Sequence, residues 1–125
     1  MPRFLGLGAA LAIHFDQVNT FGGSLGLRDL GLLESALGQA QQTYAYTNDI
    51  CEAAAQYCLS IVKNHPFVDG NKRTAADCML TFLVLNGIDP TMSPEQLFEW
   101  TMQVALGALE RPQLAELLRG HARAR

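Results

Sequence analysis

The chain has 125 residues, 49% of them hydrophobic and 17% charged, with a formal net charge of −3. That is one domain of ordinary size, long enough to bury roughly two-thirds of the unfolded chain's surface without staples. It excludes a disordered chain, and the charge gives no sign of a nucleic-acid or anionic-membrane partner. No apolar run reaches the ~18 residues of a membrane span, and no basic-then-apolar leader is evident. The three cysteines, Cys51, Cys58 and Cys78, form no C-x-x-C pair, which suggests reduced thiols, a cytoplasmic setting and no zinc site. So few charges leave apolar surface for a protein partner.

In chain order, Leu11, Phe15 and Val18 fall at helical spacing after a short lead-in. His14 beside them reads as a surface or half-buried helix residue with no nameable partner. Thr20–Gly26 is glycine-rich but lacks Walker spacing, so it reads as a mobile connection, with a substrate-facing loop as the minority reading. Asp29 caps a helix whose Leu33, Ala36, Leu37 and Ala40 repeat at i, i+3, i+4, i+7. Thr43-Tyr44-Ala45-Tyr46-Thr47 has strand character without a partner strand, and is expected to be an extended loop or flap. Asp49 then caps an Ala-rich helix from Ile50 to about Asn64, with Asp49-x-x-Glu52 resembling a capping box.

A second apolar helix, Asn71 to Asn86, is apolar nearly all round and therefore expected to be central. Asn86-Gly87 stops it, with glycine in the left-handed position. Cys78 and Met79 read as core filler. Ser93-Pro94-Glu95-Gln96 opens a further helix with a capping box, ended or kinked by Gly107. A last helix starts near Arg111-Pro112. Residues 1–125 thus predict a single all-α domain, a compact bundle of about six helices, with its core over about 4–118 and a frayed tail over 119–125.

Between the two apolar helices lies His65-Pro66-Phe67-Val68-Asp69-Gly70-Asn71-Lys72-Arg73-Thr74. Pro66 cannot extend the incoming helix and biases His65 towards an extended backbone. Asp69-Gly70 signals a turn, and Asn71 is the expected N-cap. His65 can accept a proton near neutral pH, and Asp69 offers the hard oxygen that Mg²⁺ prefers. Gly70 lets a phosphate approach the backbone, Asn71 adds a donor, and Lys72 and Arg73 add fixed positive charge. A base, a metal ligand and phosphate clamps are the parts for transfer from a nucleotide to a hydroxyl. The bland alternative is a polar helix–helix loop with a capping Asn and solvated charges.

The stretch His65-Pro-Phe67-x-Asp69-Gly70-Asn71-Lys72-Arg73 resembles the H-x-F-x-[D/E]-G-N-x-R signature of the Fic/Doc superfamily, with Lys72 as in its death-on-curing (Doc) branch. Phe21-Gly22-Gly23, Gly31 to Leu37, Asn64 to Ala75 and Phe82-Leu83-x-x-Asn86-Gly87 extend the resemblance over roughly Phe4 to Leu118. It implies a nucleotide-dependent transferase with ATP and Mg²⁺ as cofactors, His65 as base, Asp69 on Mg²⁺, and Gly70, Asn71, Lys72 and Arg73 on phosphates. Fic enzymes transfer AMP and carry a second arginine three places after the first; here that place is Ala76. Doc-type members depart likewise and transfer the γ-phosphate to a threonine of elongation factor Tu, which halts translation and makes them toxins. The resemblance also implies an antitoxin partner docking by a helical segment, since no [S/T]-x-x-x-E-[G/N] inhibitory motif occurs in the sequence. Tyr44, Tyr46, Trp100 and Met102 are candidate walls of its groove, or core. AMP transfer and a catalytically idle interaction module are the alternative functions.

Overall fold

The computed structural model describes Met1–Arg125 and contains six helices: α1 (Leu7–Phe21), α2 (Leu30–Thr47), α3 (Ile50–Asn64), α4 (Asn71–Leu85), α5 (Pro94–Ala105) and α6 (Arg111–Gly120). Two short strands, β1 (Ile88–Pro90) and β2 (Ala122–Ala124), complete it. No helix is long and apolar enough to cross a membrane.

The helix at the centre is α3, which packs against α2, α4, α5 and α6. Its buried residues include Ala53, Ala54, Ala55, Cys58 and Ser60, small side chains that let several helices approach on different sides. The expected centre, α4, packs on α1, α3, α5 and β1, but Val84 and Leu85 near its end remain 40% and 41% exposed. Its apolar sequence therefore overstates its burial. Cys78 and Met79 are fully buried, as core filler should be, and burial pushes the Cys58 thiol up to about 12. Phe4 stacks on Phe82, and the buried Tyr57 hydroxyl accepts from the Leu5 N–H at 2.9 Å, so the lead-in is fastened to the core.

Local capping follows the sequence closely. Asp29 accepts from the Leu32 N–H, and Asp49 accepts from Cys51 and Glu52. Glu52 does not close a box; it turns to Arg111 on α6, 2.9 Å away. Ser93 and Gln96 form the complete capping box, and Gly87 takes φ +80 after α4.

Two expectations are overturned. Thr43–Thr47 is the last part of α2 rather than an extended flap. Packing of the Leu33–Ala40 face on α3 carries the helix onward against the β propensity of these residues, and the Thr43 and Thr47 hydroxyls donate to carbonyls four residues back. The tail does not fray: α6 runs to Gly120, and Ala122–Ala124 pairs antiparallel with Ile88–Pro90. Arg125 adds an ion pair to Asp89 at 2.9 Å. The strand pairing supplies partners that no local signal in the sequence announces.

Candidate active site

The loop between α3 and α4 has both buried and exposed side chains. Pro66 and Phe67 are buried, whereas His65, Val68 and Asp69 face solvent. This is an extended segment with one face nailed to the core. Its backbone is paired with the chain just before α2: Val68 N–H donates to Gly26 O, and the N–H groups of Arg28 and Asp29 donate to Pro66 O. The Arg28 side chain closes the C-terminus of α3 by donating to the carbonyls of Asn64 (2.9 Å) and His65 (2.7 Å), where a cation also suits the helix dipole. His65 is the C-cap of α3, at φ 52 and ψ 54. The expected extended conformation gives way to the left-handed one because its N–H still closes the last helical turn onto Ile61. A non-glycine residue pays roughly 1–2 kcal/mol for that conformation, and such strain clusters at functional sites.

Asn71 is not the N-cap. Gly70 takes that place in the left-handed region, at φ 75, and Asn71 is the first residue of α4. The Asn71 side chain is buried and folds back on the loop, donating to Phe67 O and accepting from Phe67 N–H, both at 3.0 Å. The backbone amide of Phe67 out-competes the helix terminus because it is buried and has no other partner. Consequently no side chain accepts from the first-turn N–H groups of α4. They open towards a cavity of about 810 Å³ that His65, Asp69, Lys72 and Arg73 also line.

The glycine-rich segment is tied to this site. Ser24 N–H donates to Asp69 Oδ2 at 3.2 Å, and Gly70 N–H to Oδ1 at 2.8 Å. These two bonds, Gly70 first, hold the Asp69 carboxyl below its ordinary value, with Arg73 and His14 helping from further away. Gly23 must be glycine: at φ +111, an added Cβ would lie 2.7 Å from Asp69 Oδ2. The segment is tethered to the loop by Ser24 and by Gly26 O, which accepts from Val68 N–H, and of its residues Phe21 lines the cavity.

His14 is the residue that the sequence undervalued. It is buried, its ring stacks on Phe67 at 3.8 Å and 6°, and Nε2 donates to Asp69 O at 2.8 Å. Thus α1 holds the turn at Asp69 from below. Arg73 rests over the Phe21 ring, 4.8 Å from its centroid, at the end of the same helix. Nothing in the spacing of α1 marks either contact, since each joins residues far apart in the chain.

The residues present suit a metal–polyphosphate. Both Asp69 oxygens keep a lone pair beyond their single N–H bond. Mg²⁺ is ordinarily held through one or two carboxylates plus substrate phosphates. Free N–H groups at a helix N-terminus beside a lysine and an arginine suit the phosphates. Of the four groove candidates, Met102 alone lines this cavity. Trp100 is buried, Tyr44 packs edge-on to Phe4, and Tyr46 stands 90% exposed.

Comparison with known proteins agrees with this geometry. The Fic/DOC family model matches residues 4–83, which contain every loop residue above. The chain is 35% identical over 111 residues to "Protein kinase doc" of Escherichia phage P1, covering 87% of both chains. It is 44% identical over 72 residues to "Toxin Doc" of Mycolicibacterium smegmatis (strain ATCC 700084 / mc(2)155), covering 54% of this chain and 55% of that one. With the family match spanning the site and a relative of this identity spanning most of its length, the chain belongs to the Fic/Doc family, in its death-on-curing branch.

Proposed function

We propose that this protein is the toxin of a toxin–antitoxin pair and works as an ATP-dependent protein kinase, moving the γ-phosphate to a hydroxyl of a protein, with a threonine of elongation factor Tu as the substrate. The observation that carries the reading is the open N-terminus of α4, with His65 exposed on one side and Arg73 on the other. The names of the two relatives, a protein kinase and a toxin, point the same way.

In this reading His65 takes the proton from the acceptor hydroxyl as it attacks. Asp69 holds Mg²⁺, which when bound supplies charge neutralisation at the phosphates. The first-turn N–H groups of α4, Lys72 and Arg73 orient the transferring group and stabilise its charge. Gly70 makes the left-handed turn that leads into the open terminus, and Asn71 acts from behind by fixing the Phe67 backbone. The absence of a second arginine at Ala76 weakens the grip on a far phosphate, which favours the nucleotide pose with its γ-phosphate nearest His65. Restraint comes from a separate antitoxin with a helical docking segment, and the setting is cytoplasmic.

The test places two differently labelled ATP samples, α and γ, with purified elongation factor Tu. Label from the γ-position supports the kinase. Label from the α-position alone means AMP transfer, and no label from either means an idle interaction module.

A further inference from the structure

Asp77 has no role in the machinery just described, yet it lines the same cavity. It sits four residues beyond Arg73 on α4, about 6 Å further along the axis and on the same face. Its carboxylate is half-buried and forms no ion pair. Gln17 Nε2 donates to Oδ2 at 2.9 Å, and the Thr81 hydroxyl donates to Oδ1 at 3.2 Å. Each oxygen therefore has one neutral donor and a lone pair to spare. Two neighbours on two helices hold a negative group in one orientation without neutralising it.

The cavity around it has charged and apolar lining. Lys72, Arg73 and the open terminus belong to the first turn of α4, whereas Leu80 lies further along that helix and Leu97, Phe98 and Met102 come from α5. Asp77 stands between Arg73 and Leu80 along α4, with Gln17 hydrogen-bonded to it. A nucleotide has the same three-part order: phosphates, then a ribose diol, then a flat base suited to an apolar wall. A fixed carboxylate is a good acceptor for two vicinal hydroxyls, as in the acidic residue that reads the ribose of dinucleotides. The same charge repels a phosphate placed there.

Building on the nucleotide reading above, we infer that Asp77 is a specificity-determining residue that binds the ribose diol of the nucleotide and excludes phosphate from the middle of the cavity. It thereby sets the direction in which the nucleotide lies: phosphates at the α4 terminus beside His65, base between α4 and α5. Ala76 merely withdraws a clamp, whereas Asp77 adds an attraction for one pose and a repulsion against the other.

The experiment is calorimetry on the full chain with Mg²⁺ and three probes: ATP, 2′,3′-dideoxy-ATP and inorganic tripolyphosphate. The unaltered protein should prefer ATP to dideoxy-ATP by about 10- to 100-fold, the size of a lost charge-assisted hydrogen-bond pair. Asp77→Asn should lose most of that preference while binding tripolyphosphate at least as tightly as before. Damage to the fold would weaken all three probes together, so opposite movements of ATP and tripolyphosphate identify a ligand role. Equal affinities for ATP and dideoxy-ATP in the unaltered protein would overturn the inference without any variant, as would a preference that survives Asp77→Asn. If the unaltered protein bound no triphosphate at all, the nucleotide reading itself would fall, and this inference with it.

Discussion

The N-termini of α4 and α5 are built in opposite ways. At α5 the chain closes on itself: Ser93 Oγ accepts from Gln96 N–H at 3.1 Å, and Gln96 Oε1 accepts from Ser93 N–H at 2.9 Å. At α4 the residue in the capping position is a glycine, and the Asn that follows turns away to Phe67. Both ends begin a helix of the core, so helix formation does not require the difference. A self-capped end has satisfied its donors, and a ligand adds little there. An open end keeps its donors and the positive end of the dipole for an anion. What holds the open end in place comes from elsewhere: His14 and Ser24 reach Asp69, next to it, from segments far back in the chain.

Three changes would break or sharpen this contrast. The largest effect is expected at His65. His65→Ala should lower phosphoryl transfer by on the order of 10²–10⁴, the usual worth of a general base, and leave the melting temperature nearly unchanged. Full activity in the variant would mean that the open terminus serves something other than base-assisted transfer.

Next comes a matched pair of stability measurements. Asn71→Ala strands the buried N–H and C=O of Phe67 and should cost about 2–4 kcal/mol in urea unfolding. Ser93→Ala removes one exposed cap and should cost about 1 kcal/mol. Equal losses would show that Asn71 is only another cap, contrary to its side-chain contacts.

The smallest effect is one of pH. The α5 box is neutral, while the loop at α4 is tethered through the Asp69 carboxylate, whose folded value lies below the ordinary 3.8. For a depressed carboxyl the stabilising contribution is present above the ordinary value and is lost as pH falls through the folded one. The Ser24 amide should therefore keep its hydrogen-exchange protection down to pH values below 3.8, and the Gln96 amide should show no such step. Loss of Ser24 protection well above that pH would remove the tether from the account.

Much of the site was legible because a short stretch carries it. His65, Asp69, Gly70, Lys72 and Arg73 lie within nine residues, and the structure brings all five to one cavity. Asn71 was legible as a residue of the loop but not in its role. Capping statistics weigh a side chain against the nearest helix terminus, whereas here the competing partner was a buried amide four residues back. Met102, named as a wall of an antitoxin groove, lines the cavity at the loop instead, while Tyr44 and Trp100 went to the core side of their helices.

The sequence by itself determined the number of helices, most of their caps, and the chemical kinds of groups in the loop. Those depend on hydrogen bonds and side-chain periodicity within a few residues. Only the tertiary structure decided that α3 is the centre, that Thr43–Thr47 stays helical, and that the tail returns as a strand. It also decided that His14 supports Asp69 and that Asp77 lines the cavity at the start of α4. The contacts of His14 and Asp77 that matter, with Asp69 and Gln17, join residues 55 and 60 positions apart. Such pairs are made by how whole helices pack, and no local propensity encodes them.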